Sequence, residues 1–267
     1  MSKIKPNLNG VAETMLLTLH ARAQYSNTKK HKFYDQKAID IVENMDYDFS
    51  KAGKDRAMSG GTIARTIVFD ELVGAFLKEH PDAVVVNIAC GLDTRFYRLD
   101  NGTVTWYNLD LPEVIAVRKQ FFDETGRVQM IAASAMDTAW PDGVTKRGVM
   151  LFIIEGLTMY LTESDVSEIL AIIRDSFDNA YVMMETLSPV WVKRQGVEKS
   201  VQATGSQFLW GCNSFDELGK IAEGYIKVKD DNILRGMEAI QPSYKLLSKL
   251  PVIKKITQKI LIFKKRS

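Results

Sequence analysis

The chain is short of the residues that would make it a disulfide scaffold, a zinc ribbon or a membrane span. Its 267 residues hold two cysteines, Cys90 and Cys212, and three histidines, His20, His31 and His80. No CxxC pair and no His/Cys cluster occurs, which argues against a disulfide framework and a structural zinc site; no metal is expected. No apolar run approaches the roughly 18 to 20 residues that cross a bilayer. Residues 1–14 lack the apolar centre of a signal peptide. A reduced, cytoplasmic setting without stable membrane insertion is the expectation. An excess of one charge is missing too: 35 Lys and Arg face 33 Asp and Glu, a net of +2. That surplus gives no whole-chain pull toward nucleic acid, so no nucleic-acid partner is expected. Internal repeats are absent, and nothing sets the oligomeric state.

What is present is ordinary for a globular chain, with 46% hydrophobic and 25% charged residues. Residues 1–80 read as an N-terminal helical cap. Ala12–Ala23 carries Met15, Leu16 and Leu19 on one face, Ala38–Met45 carries Ile39, Ile41 and Val42, and Thr62–Leu77 carries Ile63, Ile67, Leu72, Val73 and Phe76. Ser26–Tyr34 and Phe49–Gly61 read as loops. His80-Pro81-Asp82 then breaks the pattern, and residues 81–187 alternate strands with helices. The strands are Val84–Ala89, Val104–Leu109, Val128–Ala132, Val149–Ile154 and Ala180–Met184. The helices are Pro112–Phe122 and Glu163–Phe177, the latter capped by Thr162 with Asp165 three residues on. Such alternation implies a parallel sheet with helices on both faces.

Residues 188–215, with Pro189, Trp191, Phe208 and Trp210 among polar residues, read as a lid or insertion. In residues 216–267, Tyr225–Val228 and Ile260–Phe263 read as a final antiparallel pair. The expected fold is therefore α/β: a Rossmann-like, mostly parallel seven-stranded sheet with an N-terminal helical cap and an inserted lid. The tail Pro251–Ser267 sets Lys254, Lys255, Lys259, Lys264, Lys265 and Arg266 among aliphatic residues. A basic amphipathic stretch can lie on an anionic membrane, but a helix plus the last strand with solvated lysines is the plainer reading and is adopted.

Three segments carry chemistry. Val84-Val85-Val86-Asn87-Ile88-Ala89-Cys90-Gly91-Leu92-Asp93-Thr94-Arg95 is an apolar strand running into a tight turn, where the small Ala89 and Gly91 let a ligand approach the backbone. In Trp106-Tyr107-Asn108-Leu109-Asp110, Asp110 lies 19 positions after Gly91, where a Rossmann-like unit places an acid for ribose hydroxyls. A dinucleotide would want G-x-G-x-x-G for its pyrophosphate, but Ala89 stands at the first glycine and Thr94 at the last. Asp93 adds a carboxylate to the turn, which suits an ammonium better than a pyrophosphate. S-adenosylmethionine offers ribose, ammonium and sulfonium without phosphate, so the loop favours it. The third segment, Leu151-Phe152-Ile153-Ile154-Glu155-Gly156-Leu157-Thr158-Met159-Tyr160, ends a buried strand on Glu155 at the crevice side of the sheet. Glu155 could instead be a buried acid paired with a helix-borne Arg or Lys, and Tyr160 could be core.

In this order and spacing the three segments resemble the leucine carboxyl methyltransferase family, and most of all its bacterial branch, which includes O-methyltransferases of polyketide biosynthesis. The resemblance runs from about Gly10 to the last strand. It implies S-adenosylmethionine as cofactor and a small-molecule methyl acceptor. It further implies that Arg65, and with less support Arg22, clamps the methionine carboxylate. Ala89 and Gly91 would form the loop, Asp110 would hold the ribose, and Glu155 would contact the amino-acid end. Ser134 and Ala135 fall where the family meets adenine; relatives often have Asp-Leu there, and Asp137 could substitute. The family usually has glycine where Ala89 stands, so this methyl is tolerable only if φ is negative there.

Methyl transfer is a displacement from an already activated sulfonium, so alignment is much of the task. A carboxylate acceptor needs no base, whereas a hydroxyl benefits from one. The histidines fall away from strand ends, leaving Glu155 and Tyr160 as the nearest catalytic candidates. An O-methyltransferase of a carboxylate or hydroxyl, with a polyketide-like acceptor, is the reading adopted. The alternatives are a protein C-terminal carboxyl methyltransferase, a nicotinamide-dependent oxidoreductase and a non-catalytic binding module.

Overall fold

A computed structural model of the chain describes residues 3–6, 14–50, 56–194 and 207–266. Three helices come first: α1 (Thr14–Ser26), α2 (Gln36–Asn44) and α3 (Arg56–Glu79). Asp35 caps α2 by accepting from the Ala38 N–H at 3.0 Å. The first turns of α3 replace the end of the loop expected over Phe49–Gly61. Gly60 and Gly61 each cost a helix about 1 kcal/mol relative to alanine. Met58, buried against Leu17 in a small apolar cluster, holds that end against the cost. The expected Ala12–Ala23 start lies partly outside the described residues.

The sheet follows as β1 (Val84–Ile88), α4 (Arg95–Leu99), β2 (Thr105–Asp110), α5 (Pro112–Arg118), β3 (Val128–Ala132), β4 (Met150–Ile154), α6 (Glu163–Ser176) and β5 (Ala180–Thr186). After it come α7 (Pro189–Lys193), α8 (Phe215–Leu218), β6 (Tyr225–Asn232), α9 (Leu234–Ile240), α10 (Tyr244–Leu247), α11 (Pro251–Ile256) and β7 (Lys259–Lys265). The seven strands run in the order β3-β2-β1-β4-β5-β7-β6. β1 to β5 are parallel, and β7 is antiparallel to both β5 and β6.

Alternation along the strands feeds two cores. Val84, Val86 and Ile88 pack with Val166, Ile169 and Leu170 of α6. Val85, Leu151 and Ile153 pack with Val68, Phe69 and Val73 of α3. A parallel strand covered on both faces reads as a continuous apolar run for this reason. Thr162 and Asp165 form the expected reciprocal cap, at 3.2 and 2.8 Å.

The departures are local. α5 stops at Arg118, short of Phe122. α4 and the three helices between β6 and β7 are too short to show a helical period. β6 outruns Val228 because a register shift between Lys227 and Lys229 breaks its two-residue rhythm. α9 sits so close to α3 that a Cβ on Gly236 would fall 2.1 Å from the Ala64 carbonyl oxygen. The tail is a helix and a strand, as expected, but Lys259 is buried rather than solvated. Its ammonium donates to the Lys254 carbonyl and, at 3.0 Å, to that of Thr257, closing the C-terminal end of α11. The lid expected over 188–215 lies partly outside the described residues. Within them, the Leu209 N–H donates to the Met159 carbonyl at 2.7 Å, tying 207–211 to the segment after β4.

Candidate active site

The strand order reverses between β1 and β4, and open α/β sheets bind ligands outside the carboxyl ends of their strands at such a point. A cavity of about 290 Å³ lies there. Its wall takes in the turn after β1, Asp110 of β2, Ala133 to Met136 after β3, and Glu155 to Leu157 after β4. Arg22 and Arg65 reach it from the helical cap.

One end is set by main chain. Asp110 is aimed by two amides, Gly91 N–H to Oδ2 at 2.7 Å and Leu111 N–H to Oδ1 at 2.8 Å. Burial raises its carboxyl above the ordinary range, and these amides oppose the rise. Arg118, fully buried, donates to the carbonyls of Gly91 and Asp93 at 2.9 Å each and pairs with buried Glu124 at 2.5 Å. The turn is therefore held from beneath. Ala89 has φ +53°, which overturns the expectation of a negative angle there. The turn demands the left-handed form, locked by Cys90 N–H to Leu109 O at 3.1 Å and Asp93 N–H to Cys90 O at 2.9 Å. Gly91, at φ +49°, is required by α1, because a Cβ would lie 3.0 Å from that of Met15.

The other end is set by ion pairs. Arg65 gives its Nε to Glu155 at 2.8 Å and its Nη1 to Glu185 at 3.1 Å. Glu155 receives Arg95 on its second oxygen at 2.6 Å. Arg95 also binds Asp70 and Asp93, each at 2.8 Å. Glu185 is fully buried at the end of β5 and accepts from the Gly156 N–H at 2.7 Å. Burial raises its carboxyl, with Arg65 opposing. Burial alone would raise Asp93 as well, but Arg95 and then Arg98 hold it well below the usual range.

Three expectations change in detail. Arg22 lines the cavity, but its Nε is spent on Asp35 at 3.1 Å and its Nη2 on the Leu92 carbonyl at 2.9 Å. The Asp93 carboxylate is held by Arg95 and by Asn87 at 2.9 Å, so it is not a lone anion awaiting an ammonium. Asp137 is exposed, caps the Ala139 N–H at 2.8 Å and stands outside the wall, where Met136 lies instead. Ser134, Ala135, Ala89, Gly91, Asp110, Glu155, Arg65 and Tyr160 all line the cavity. The three histidines do not; His20 stacks on Phe49 at 4.7 Å. Glu185, Arg95 and Arg118 escaped notice. The available signal for Glu185 was the one read for Glu155, an acid ending an apolar strand.

The family model for leucine carboxyl methyltransferase matches residues 14–174. The chain belongs to the leucine carboxyl methyltransferase family. It is 37% identical over 211 residues to the tetracenomycin polyketide synthesis O-methyltransferase TcmP of Streptomyces glaucescens, covering 78% of this chain and 77% of that one. It is 30% identical over 241 residues to the S-adenosyl-L-methionine-dependent methyltransferase dpfgK of Gibberella zeae, covering 82% and 80%. Its fold matches a Thermobifida fusca YX crystal structure, provisionally assigned as a methyltransferase, with TM-score 0.63 at 13% identity over 97% and 96% of the two chains.

As a member of this family the chain is an S-adenosylmethionine-dependent methyltransferase, and its cavity fits that donor. In and behind the wall, seven carboxylates (Asp35, Asp70, Asp93, Asp110, Glu124, Glu155, Glu185) face five guanidiniums (Arg22, Arg65, Arg95, Arg98, Arg118). The formal excess of two negative charges suits a cation and opposes a pyrophosphate, so a nicotinamide dinucleotide is not favoured.

Proposed function

We propose that this family member methylates a carboxylate oxygen of a small, largely apolar, polyketide-like acid. One observation carries the choice of oxygen: among the described residues of the wall there is no histidine, and its carboxylates, Asp93, Asp110 and Glu155, each already accept from arginine or main-chain N–H groups. An acceptor that is ionised at neutral pH needs no base. Leu157, Met159, Leu161, Leu187 and Phe208 give the wall an apolar side for the acceptor's body, and TcmP, by its name, acts in polyketide synthesis.

The bound donor supplies a methyl group activated by its sulfonium. The chain's part is to hold and exclude. Asp110 takes the ribose hydroxyls on oxygens already aimed by two amides. Arg65, whose Nη2 carries no hydrogen bond to a described residue, takes the amino-acid carboxylate, and Glu155 faces the ammonium. Ser134 and Ala135 flank the adenine. Tyr160 sits 5.6 Å from Phe208, ring to ring, and orients the acceptor. Leu187 and Phe208, which line the cavity, exclude water from it.

The test is methyl transfer to an aromatic polyketide carboxylic acid, compared with its amide and its decarboxylated phenol. The acid should be methylated at a rate that stays flat from about pH 6 to about pH 9, well above a carboxyl pKa. Transfer to the phenol alone, rising with its ionisation, would overturn the reading.

A further inference from the structure

Nine large hydrophobic side chains are exposed among the described residues, and four of them, Leu246, Leu247, Leu250 and Val252, fall within seven positions. They lie on α10, α11 and the turn between. Leu246 is 74% exposed and Val252 59%. Single exposed aliphatics need no explanation, but a cluster marks a contact surface. Exposed Lys245, Lys249, Lys254 and Lys255 are interleaved with them.

The charge around this cluster is one-sided. From residue 239 to the end the sequence has eight Lys and Arg and no Asp or Glu, while residues 1–238 carry 27 basic against 33 acidic side chains. The chain is thus an acidic body with a basic, aliphatic patch. The patch is also fixed in place. The Trp191 indole N–H donates to the Ile256 carbonyl at 2.5 Å, Lys259 closes the end of α11, and buried Ser248 donates to Glu238. Ile253 and Ile256 turn partly inward, so the four outward aliphatics are not needed to seat the segment.

We infer that residues 244–256 form a docking surface for an anionic phospholipid bilayer, on which the protein binds peripherally. Lysines alternating with aliphatics match a bilayer surface, with anionic headgroups for the ammoniums and an acyl boundary for the leucines. A second copy is disfavoured by the same residues, because a two-fold contact sets a patch against itself and would bring four lysines onto four others. No helix among the described residues is long and apolar enough to cross a membrane, and none is needed. Gln258, two residues beyond α11, lines the active-site cavity, so the docked surface adjoins the wall that receives the acceptor.

Flotation of the full chain with phosphatidylcholine vesicles, with and without about one-third phosphatidylglycerol, tests this. Binding is expected only with the anionic lipid and should be lost between about 0.1 M and about 1 M salt. Each lysine-to-glutamine change among Lys245, Lys249, Lys254 and Lys255 should lower partitioning about fivefold. Leu246→Ser with Leu250→Ser should abolish it. Unchanged thermal midpoint and S-adenosylhomocysteine affinity certify that the variants are folded. Equal binding to neutral vesicles, or no binding of the intact protein to anionic ones, overturns the inference. So does a concentration-dependent dimer that the double leucine variant dissolves while vesicles leave the protein untouched.

Discussion

The two ends of the cavity are built in different ways. At the β1–β2 end, the turn from Ala89 to Asp93 and the Asp110 carboxylate are positioned by main-chain amides and carbonyls, with Arg118 closing the underside. At the β4–β5 end, Arg65, Glu155, Glu185 and Arg95 position one another across up to 120 positions of sequence. Main-chain hydrogen bonds are reinforced by the strands they leave, whereas a buried ion-pair network depends on every member. Removing one partner strands a charge in a poorly hydrated site, at about 3 to 5 kcal/mol. The first end should therefore tolerate substitution as structure and fail only in binding. The second should fail as structure first.

The sharpest way to break that contrast is Arg95→Met, which keeps bulk and removes charge. Three carboxylates, Asp70, Asp93 and Glu155, lose a partner at once. Urea unfolding should show a loss of about 3 to 5 kcal/mol, and a loss below about 1 kcal/mol would mean the network is slack. The pH dependence has a definite sign. Asp93 has a folded pKa well below the ordinary aspartate value of about 3.8. Its contribution is therefore complete above 3.8 and disappears as pH falls through the lowered folded value. The variant should lose much of that acid-side decline.

The same contrast explains what could be read from sequence. The five parallel strands, the Gly91 to Asp110 spacing and the Thr162 cap are local or βαβ-scale patterns, so periodicity and distance along the chain disclosed them. Glu155 was visible because an acid ending an apolar strand is conspicuous. Its partners were not, since which arginine reaches it depends on how α3 and α4 lie on the sheet. Arg22 illustrates the limit. It lines the cavity, but Asp35, thirteen residues on, takes its Nε, and no sequence pattern announces that. The short helices α9 to α11 escaped because segments of four to seven residues show no period.

Asp110→Asn probes the main-chain end with an intermediate effect. Asparagine still presents a carbonyl oxygen to the Gly91 amide, so unfolding should change by less than about 1 kcal/mol. Affinity for S-adenosylhomocysteine should drop by about ten- to a hundredfold, the range of a lost charged hydrogen bond, read by calorimetry. Burial raises the folded pKa of Asp110 above 3.8, with the Gly91 and Leu111 amides opposing. In the native chain, affinity should therefore weaken on acidification at a higher pH than an ordinary aspartate would give. Stability from this group moves the other way, because the folded form holds the proton more readily than the unfolded one. The asparagine variant should lose both dependences.

The smallest effect is expected at Ala89, and it tests whether the turn or the ligand set the residue. A non-glycine residue at φ +53° carries roughly 1 to 2 kcal/mol of local strain. Glycine relieves that strain but gives the unfolded chain more freedom, at about 0.5 to 1 kcal/mol. The difference predicts that Ala89→Gly stabilises the protein by up to about 1.5 kcal/mol, seen as a modest rise in thermal midpoint. Cofactor affinity should stay within about threefold, because the turn is locked by the Cys90 and Asp93 amides and supported by Arg118 whichever residue occupies position 89. Had the methyl group been selected as a cofactor contact, the substitution would lower affinity while leaving stability improved. The two readouts together therefore separate a tolerated strain from a functional one.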